Sequence, residues 1–269
     1  MDARRTTIRD CQILQGDAYE ILADISGADA VITDPPYGVT NNDWDRELDF
    51  ARFWQLTKAA TKSNAAFAIF CQMPFAGRLW QSNQKDFRYE YIYKKPTLTN
   101  FLNGKKNPLR EHELIYIFYS NFPTYIPQMT KGEAYKKSLQ YPSNNYGQYA
   151  LHSSENKSGD RYPTTILDVK HENTFYMKSE FTRHPTQKSV ATLSFLIKTY
   201  TRPGELVLDP FMGSGSTGVA AVRNGRKFIG IEQDPYWHEV ACKRIEAEYA
   251  NRVLLDMATP KQESLNDRL

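Results

Sequence analysis

Short apolar runs alternate with amphipathic stretches at both ends of the chain, and the alternation breaks down between them. Gln12-Ile13-Leu14-Gln15 reads as a strand ending at Gly16-Asp17, with a short helix over residues 19–25 and a second strand at Ala30-Val31-Ile32-Thr33. Strand, helix, strand implies a parallel pair, with Asp17 and Asp34 on one rim of the sheet. Residues 48–62 place Phe50, Phe53, Trp54, Leu56 and Thr57 roughly on one side of a helix. A buried strand is predicted over 65–70, a helix opening on proline over 74–80, and a strand over 89–93. Strand character returns over 114–119.

The regular pattern resumes after residue 184. Val190, Leu193, Ile197 and Tyr200 mark one face of a helix that Pro203-Gly204 ends. The strand Leu206-Val207-Leu208-Asp209 runs into a glycine-rich turn, Val219 to Val222 begin a helix, and Phe228 to Ile231 form a third strand that delivers Glu232. A last helix from Pro235 packs Trp237, Val240, Ala241, Ile245 and Tyr249 back on the sheet.

Between these halves the chain has another character. From Lys94 to Arg110 it carries Lys94, Lys95, Lys105, Lys106 and Arg110 with no acid, which reads as a flexible basic segment suited to phosphate contact. Residues 121–165 scatter tyrosines among Ser, Asn, Gln and Lys without a period. The organisation expected is one α/β domain in two halves, 10–94 and 181–252, with an insert over 95–180 that contains the core strand near 114–119, and a polar tail over 253–269.

Composition narrows this picture. With 34 basic against 31 acidic residues in 269, the formal charge is only +3, so a nucleic-acid surface has to come from local clustering. No secretory signal or membrane-length apolar window is visible, and a cytoplasmic location is expected. The three cysteines, Cys11, Cys71 and Cys242, lack the spacing of a disulfide framework or a zinc site, so no metal is expected.

Two loops carry candidate chemistry. Asp34-Pro35-Pro36-Tyr37-Gly38 follows its strand without a spacer. Paired prolines remove two backbone donors, and the carbonyls there, with the Asp34 carboxylate, can accept hydrogen bonds from an exocyclic amine while Tyr37 stacks on the base that carries it. The second loop, Pro210-Phe211-Met212-Gly213-Ser214-Gly215-Ser216-Thr217-Gly218, is a tight strand-to-helix turn, and Glu232 stands about twenty positions beyond Gly213, the spacing of an acid that binds ribose hydroxyls. A glycine turn plus an acid leaves NAD, FAD and S-adenosylmethionine open. Asp209 at the strand end favours the last, because it would welcome an ammonium and repel a pyrophosphate.

Taken together, the two loops resemble those of the amino-group (N6-adenine or N4-cytosine) DNA methyltransferases, in the permuted beta-type order that sets the Asp-Pro-Pro-Tyr motif before the cofactor motif. His184 to Ser189 resembles the segment that closes over the methionine moiety, and Glu111-His112-Glu113 and Arg161 to Leu167 resemble further stretches of that family. The resemblance implies an α/β, Rossmann-like S-adenosylmethionine-dependent fold, a mostly parallel seven-stranded sheet with one antiparallel strand and helices on both faces. With the Asp209 strand central, the Glu232 strand and then the Asp17 strand would lie to one side of it and the Asp34 strand to the other.

The same resemblance implies catalytic roles for Asp34, Pro35, Pro36 and Tyr37. Glu232 would hold the cofactor's ribose, Asp17 its adenine, Asp209 and Ser214 to Thr217 its methionine end, and Lys188 and Ser189 its carboxylate, with Asp34, Phe211 and Gly213 also lining the site. Double-stranded DNA is the expected partner, and a homodimer and a cognate restriction enzyme are further partners the family admits. Aspartate at the first motif position looks more like the adenine enzymes. N4-cytosine, RNA or protein-glutamine methylation, and a DNA-binding module without catalysis, are the alternatives.

Overall fold

The computed structural model describes residues 4–38, 47–137, 154–169 and 187–258. These fall into two compact units, Pro127–Thr164 and the remainder of the chain. The strands are β1 (Arg4–Ile8), β2 (Cys11–Gln15), β3 (Ala28–Thr33), β4 (Thr61–Cys71), β5 (Phe87–Thr99) and β6 (Arg110–Phe118). In the smaller unit come β7 (Thr130–Lys131), β8 (Tyr135–Lys137), β9 (Ser154–Asn156) and β10 (Asp160–Arg161). The larger unit resumes with β11 (Ile166–Leu167), β12 (Leu206–Asp209) and β13 (Lys227–Glu232). Its helices are α1 (Ala18–Ile21), α2 (Phe50–Ala60), α3 (Phe75–Ser82), α4 (Val190–Tyr200), α5 (Ser216–Arg223) and α6 (Pro235–Ala258).

Nine of these strands form one sheet in the order β1-β2-β13-β12-β3-β4-β6-β5-β11. The expected order around β12 is found: β13 and then β2 on one side, β3 on the other, all parallel. Strand β6 runs against both its neighbours, β4 and β5. The sheet has nine strands and not seven because β1 adds an antiparallel hairpin to β2, and two residues of β11 pair parallel with β5. In β1 only Thr6 and Ile8 are even half-buried, so an edge strand this polar shows no apolar run.

Alternate side chains of the central strands feed two cores. Ala30 and Ile32 face α4, α5 and α6, meeting Leu193, Ile197, Val219 to Val222 and Ile245. Val31, Phe67, Ile69 and Leu208 face α1, α2 and α3, meeting Ile21, Phe53, Trp54, Phe75 and Leu79. Helices on both faces leave the strand ends as the accessible rim.

The division of the chain differs from the expected insert over 95–180. Residues 95–99 and 110–118 are strands of the main sheet, paired as Lys94↔His112 and Thr99↔Arg110, and only Pro127–Thr164 is a separate unit. That smaller unit holds two two-stranded sheets, β10 with β7 and β8 with β9. Within it Arg161 lies 4.5 Å over the Tyr135 ring and Lys131 pairs with Asp160 at 2.6 Å. The expected polar tail also begins too early, since α6 runs to Ala258. His184 to Thr186, Tyr141, Tyr146, Tyr149 and residues 259–269 lie outside the described residues.

Candidate active site

Both candidate loops leave the sheet at one rim because β3 and β12 are adjacent and parallel. Thr33 Oγ1 donates to Asp209 Oδ1 at 2.7 Å, a buried bond that ties the end of the Asp34 strand to the start of the glycine turn. Asp209 Oδ1 also accepts the Phe211 N–H at 3.1 Å, and the Thr217 hydroxyl bonds the same carboxylate. Burial pushes Asp209 up to about 6, and these donors only partly oppose it.

The turn itself is pinned from several sides. Gly215 has φ +78°, and a Cβ there would lie 2.8 Å from the Ala241 Cβ, so the turn needs glycine to pack on α6. Arg244 on α6 donates to the Ser214 carbonyl at 2.5 Å and to the hydroxyls of Ser214 and Ser216 at 2.8 and 3.2 Å. Ser214 also bonds Gln187 at 3.3 Å, and burial lowers Arg244 to about 10. The sequence reading missed this arginine, whose only signal is a charge among the inward positions of α6. The Phe211 ring stacks 6.3 Å from Phe53.

At the end of β13, the Glu232 carboxylate accepts the Asp234 N–H at 2.8 Å and a bond from Gly213 N–H. Burial pushes it up to about 7. Gly16 N–H donates to the Glu232 carbonyl at 3.0 Å, which sets Asp17 beside it, and Asp17 Oδ1 caps α1 through the Tyr19 N–H at 2.7 Å. Asp17, Asp209 and Glu232 therefore share one rim with the Gly213 to Thr217 turn.

The other half of the rim is built on Asp34. Tyr37 Oη donates to Asp34 Oδ1 at 2.6 Å while its ring stacks on Phe75 at 4.8 Å. Arg78 holds the Tyr37 carbonyl at 3.2 Å. On the opposite side Lys188 Nζ lies 2.9 Å from Asp34 Oδ2 and 2.8 Å from Glu113 Oε2. Burial lifts Asp34 above the usual carboxylate range, with the Lys188 charge opposing. Lys188 is raised because two carboxylates outweigh its desolvation. In this structure it pairs with Asp34 of the Asp-Pro-Pro-Tyr loop and with Glu113. Ser189 caps α4, accepting the Thr192 N–H at 3.5 Å.

Glu113 was not among the expected site residues. It reaches the rim from the start of β6, because β6 runs antiparallel and its first residues lie where the other strands end. The five basic residues divide. Lys95 Nζ turns inward, 3.7 Å from Glu113 Oε1, and Lys94 pairs with Glu111 at 3.4 Å. Arg110 reaches Gln72 at 3.3 Å, and Lys105 and Lys106 are exposed beyond the short 3₁₀ turn Phe101–Asn103. Within the basic segment, residues 94–99 and Arg110 are thus strand, and residues 100–109 connect them.

The sequence profile of the DNA methylase family N6_N4_Mtase matches residues 28–243. The chain is 38% identical to the DNA adenine methyltransferase YhdJ of Escherichia coli (strain K12) over 95 residues, 35% of this chain and 32% of that protein. The chain matches only part of the length of its methylase relatives, 25%, 32% and 28% for three of them. Among solved structures, M1.HpyAVI in its SAM complex is 25% identical with a TM-score of 0.58, covering 87% of this chain and 99% of that one. The PvuII DNA methyltransferase, cytosine-N4-specific, is 17% identical with a TM-score of 0.64, covering 93% and 94%, a likeness of fold.

Proposed function

Because the chain belongs to the N6_N4_Mtase family of DNA methylases, we propose that it transfers a methyl group to the exocyclic N6 amine of adenine in a short duplex DNA sequence. The observation that carries this reading is the Thr33–Asp209 bond, which joins an Asp-Pro-Pro-Tyr loop to a glycine turn at one rim. The cofactor is S-adenosylmethionine, whose sulfonium supplies an electrophilic methyl group. The donor set fits it. Ribose hydroxyls, an ammonium and an adenine amine are donors, and Glu232, Asp209 and Asp17 supply acceptors beside a turn that approaches closely.

At the other half of the rim, Asp34 and the Pro35 carbonyl accept the two protons of the target amine. That amine is a weak nucleophile because its lone pair is delocalised into the ring. Two acceptors draw the nitrogen toward a tetrahedral shape with its lone pair free to form the new bond, and Asp34 takes the proton the nitrogen then sheds. An amine inside a duplex is out of reach, so the base has to be flipped, and Tyr37 leaves Asp34 and Phe75 to stack on it. The exposed Lys105 and Lys106 contact phosphates. Aspartate at motif position one and the name of YhdJ favour adenine over cytosine.

Incubation with labelled S-adenosylmethionine and unmethylated genomic DNA, followed by digestion to nucleosides, tests this. N6-methyladenine is the expected product. N4-methylcytosine would overturn the choice of base, and no label in DNA would overturn the reading as a DNA methyltransferase.

A further inference from the structure

Asp34 is gripped by two different groups, one on each oxygen. Tyr37 Oη occupies Oδ1 at 2.6 Å, and Lys188 Nζ occupies Oδ2 at 2.9 Å. If Tyr37 leaves to stack on a base, Oδ1 opens while Oδ2 stays engaged. The orientation of the carboxylate then depends on Lys188. A lysine tied to one carboxylate can pivot between its two oxygens, since an ammonium has three equivalent donors on a flexible stem. Here a second carboxylate removes that freedom, because Glu113 Oε2 takes Lys188 Nζ at 2.8 Å. Glu113 is fixed by its pairing with Tyr93 across β5 and β6 and faces Lys95 on its other oxygen. The side chains of Lys188, Asp34 and Glu113 are only 13%, 19% and 14% exposed, so water screens them little.

We propose that Glu113 is a positioning residue for the methyl transfer: it holds the Lys188 ammonium on Oδ2 of Asp34 and so presents Oδ1 to the target amine. The proposal rests on the reading of Asp34 as the acceptor of that amine. Glu113 has a second effect through charge. A lysine paired with Asp34 alone would make that carboxylate a poorer proton acceptor, and a shared lysine does so less. The groups facing Asp34 agree with this division: Lys188 lowers its pKa, Glu113 raises it, and the Tyr37 hydroxyl bond lowers it. Cys71 at the end of β4 is itself raised by burial and carries no charge at neutral pH, and Asp209 on β12 is a further acid coupled to Asp34.

The test is a titration of the Asp34 carboxyl by carbon NMR, assigned by the signal lost in Asp34→Asn, together with single-turnover methylation of genomic DNA. In Glu113→Gln, which keeps the shape and loses the charge, the Asp34 midpoint is expected to fall by about one pH unit. The transfer rate should fall about tenfold, with cofactor affinity unchanged. Lys188→Met should move the midpoint the other way, upward. Glu113→Asp, with its carboxylate withdrawn by one methylene, should show a smaller fall and partial activity. A midpoint that is unchanged or rises in Glu113→Gln would overturn the role of Glu113. Wild-type protein that labels no DNA would instead overturn the reading of function, and the midpoint would still decide whether Glu113 governs Asp34.

Discussion

The two ends of the rim hold their acids in opposite ways. At the Asp34 end the protein supplies the countercharge itself, with Lys188 between Asp34 and Glu113 and Lys95 beyond. At the Asp209 and Glu232 end no lysine or arginine among the described residues pairs with either acid. Their partners are backbone N–H groups and hydroxyls, and burial leaves them at about 6 and about 7. Carboxylates without a cation in a buried site are poised for a ligand that brings donors or positive charge. An acid matched by a lysine is set up to act on a neutral group such as an amine.

Substitutions at the two ends should therefore behave differently. The largest effect is expected from Asp34→Ala, which should lower single-turnover transfer by about a thousandfold or more while DNA affinity, followed by filter binding, hardly changes. A variant that retains full activity would sink the catalytic scheme. Next comes Lys188→Met, which removes the cation between Asp34 and Glu113 and leaves Lys95 facing Glu113 alone. Urea unfolding should show a loss of about 3 kcal/mol.

Glu232→Gln should not behave that way. It removes an acid that burial already disfavours, so stability at pH 8 should hold or rise, while cofactor affinity falls about tenfold for want of a charged acceptor. The sign follows from linkage. Because the folded-state pKa of Glu232 is raised, its contribution to stability is present at low pH and lost as pH climbs through about 7. The cofactor-free wild type should accordingly lose stability over that range, and Glu232→Gln should lose less. The smallest change is expected from Lys105→Ala with Lys106→Ala. Filter binding should show a modest loss of DNA affinity and a salt slope reduced by about two.

Much of the fold around Asp209 and Glu232 was legible in the sequence, because its signals are local. An apolar strand, a glycine turn, a helix and an acid at fixed spacing each follow from short-range rules, and the order of β2, β13, β12 and β3 follows from them. Glu113 was less legible for a geometric reason. A parallel strand delivers an acid to the rim from its end, whereas an antiparallel strand delivers its first residues to that same rim. Arg244 is hidden by the helical period, which treats a charge on a long helix as solvated, although here it secures Ser214 and Ser216 from beneath the turn. The strand over residues 94–99 is hard to see in the sequence because lysines carry little strand signal. Its ladder is stabilised by Lys94 with Glu111 and Lys95 with Glu113, pairs visible only once the register is known.

The most direct test of the contrast between the two ends is the number of protons exchanged when S-adenosylmethionine binds, measured by calorimetry near pH 7 in buffers of different ionisation enthalpy. With Glu232 at about 7 before binding and ionised once it accepts the ribose hydroxyls, the wild type should release about half a proton, and Glu232→Gln close to none. Binding with no proton release in the wild type, or the same release in both proteins, would contradict the account.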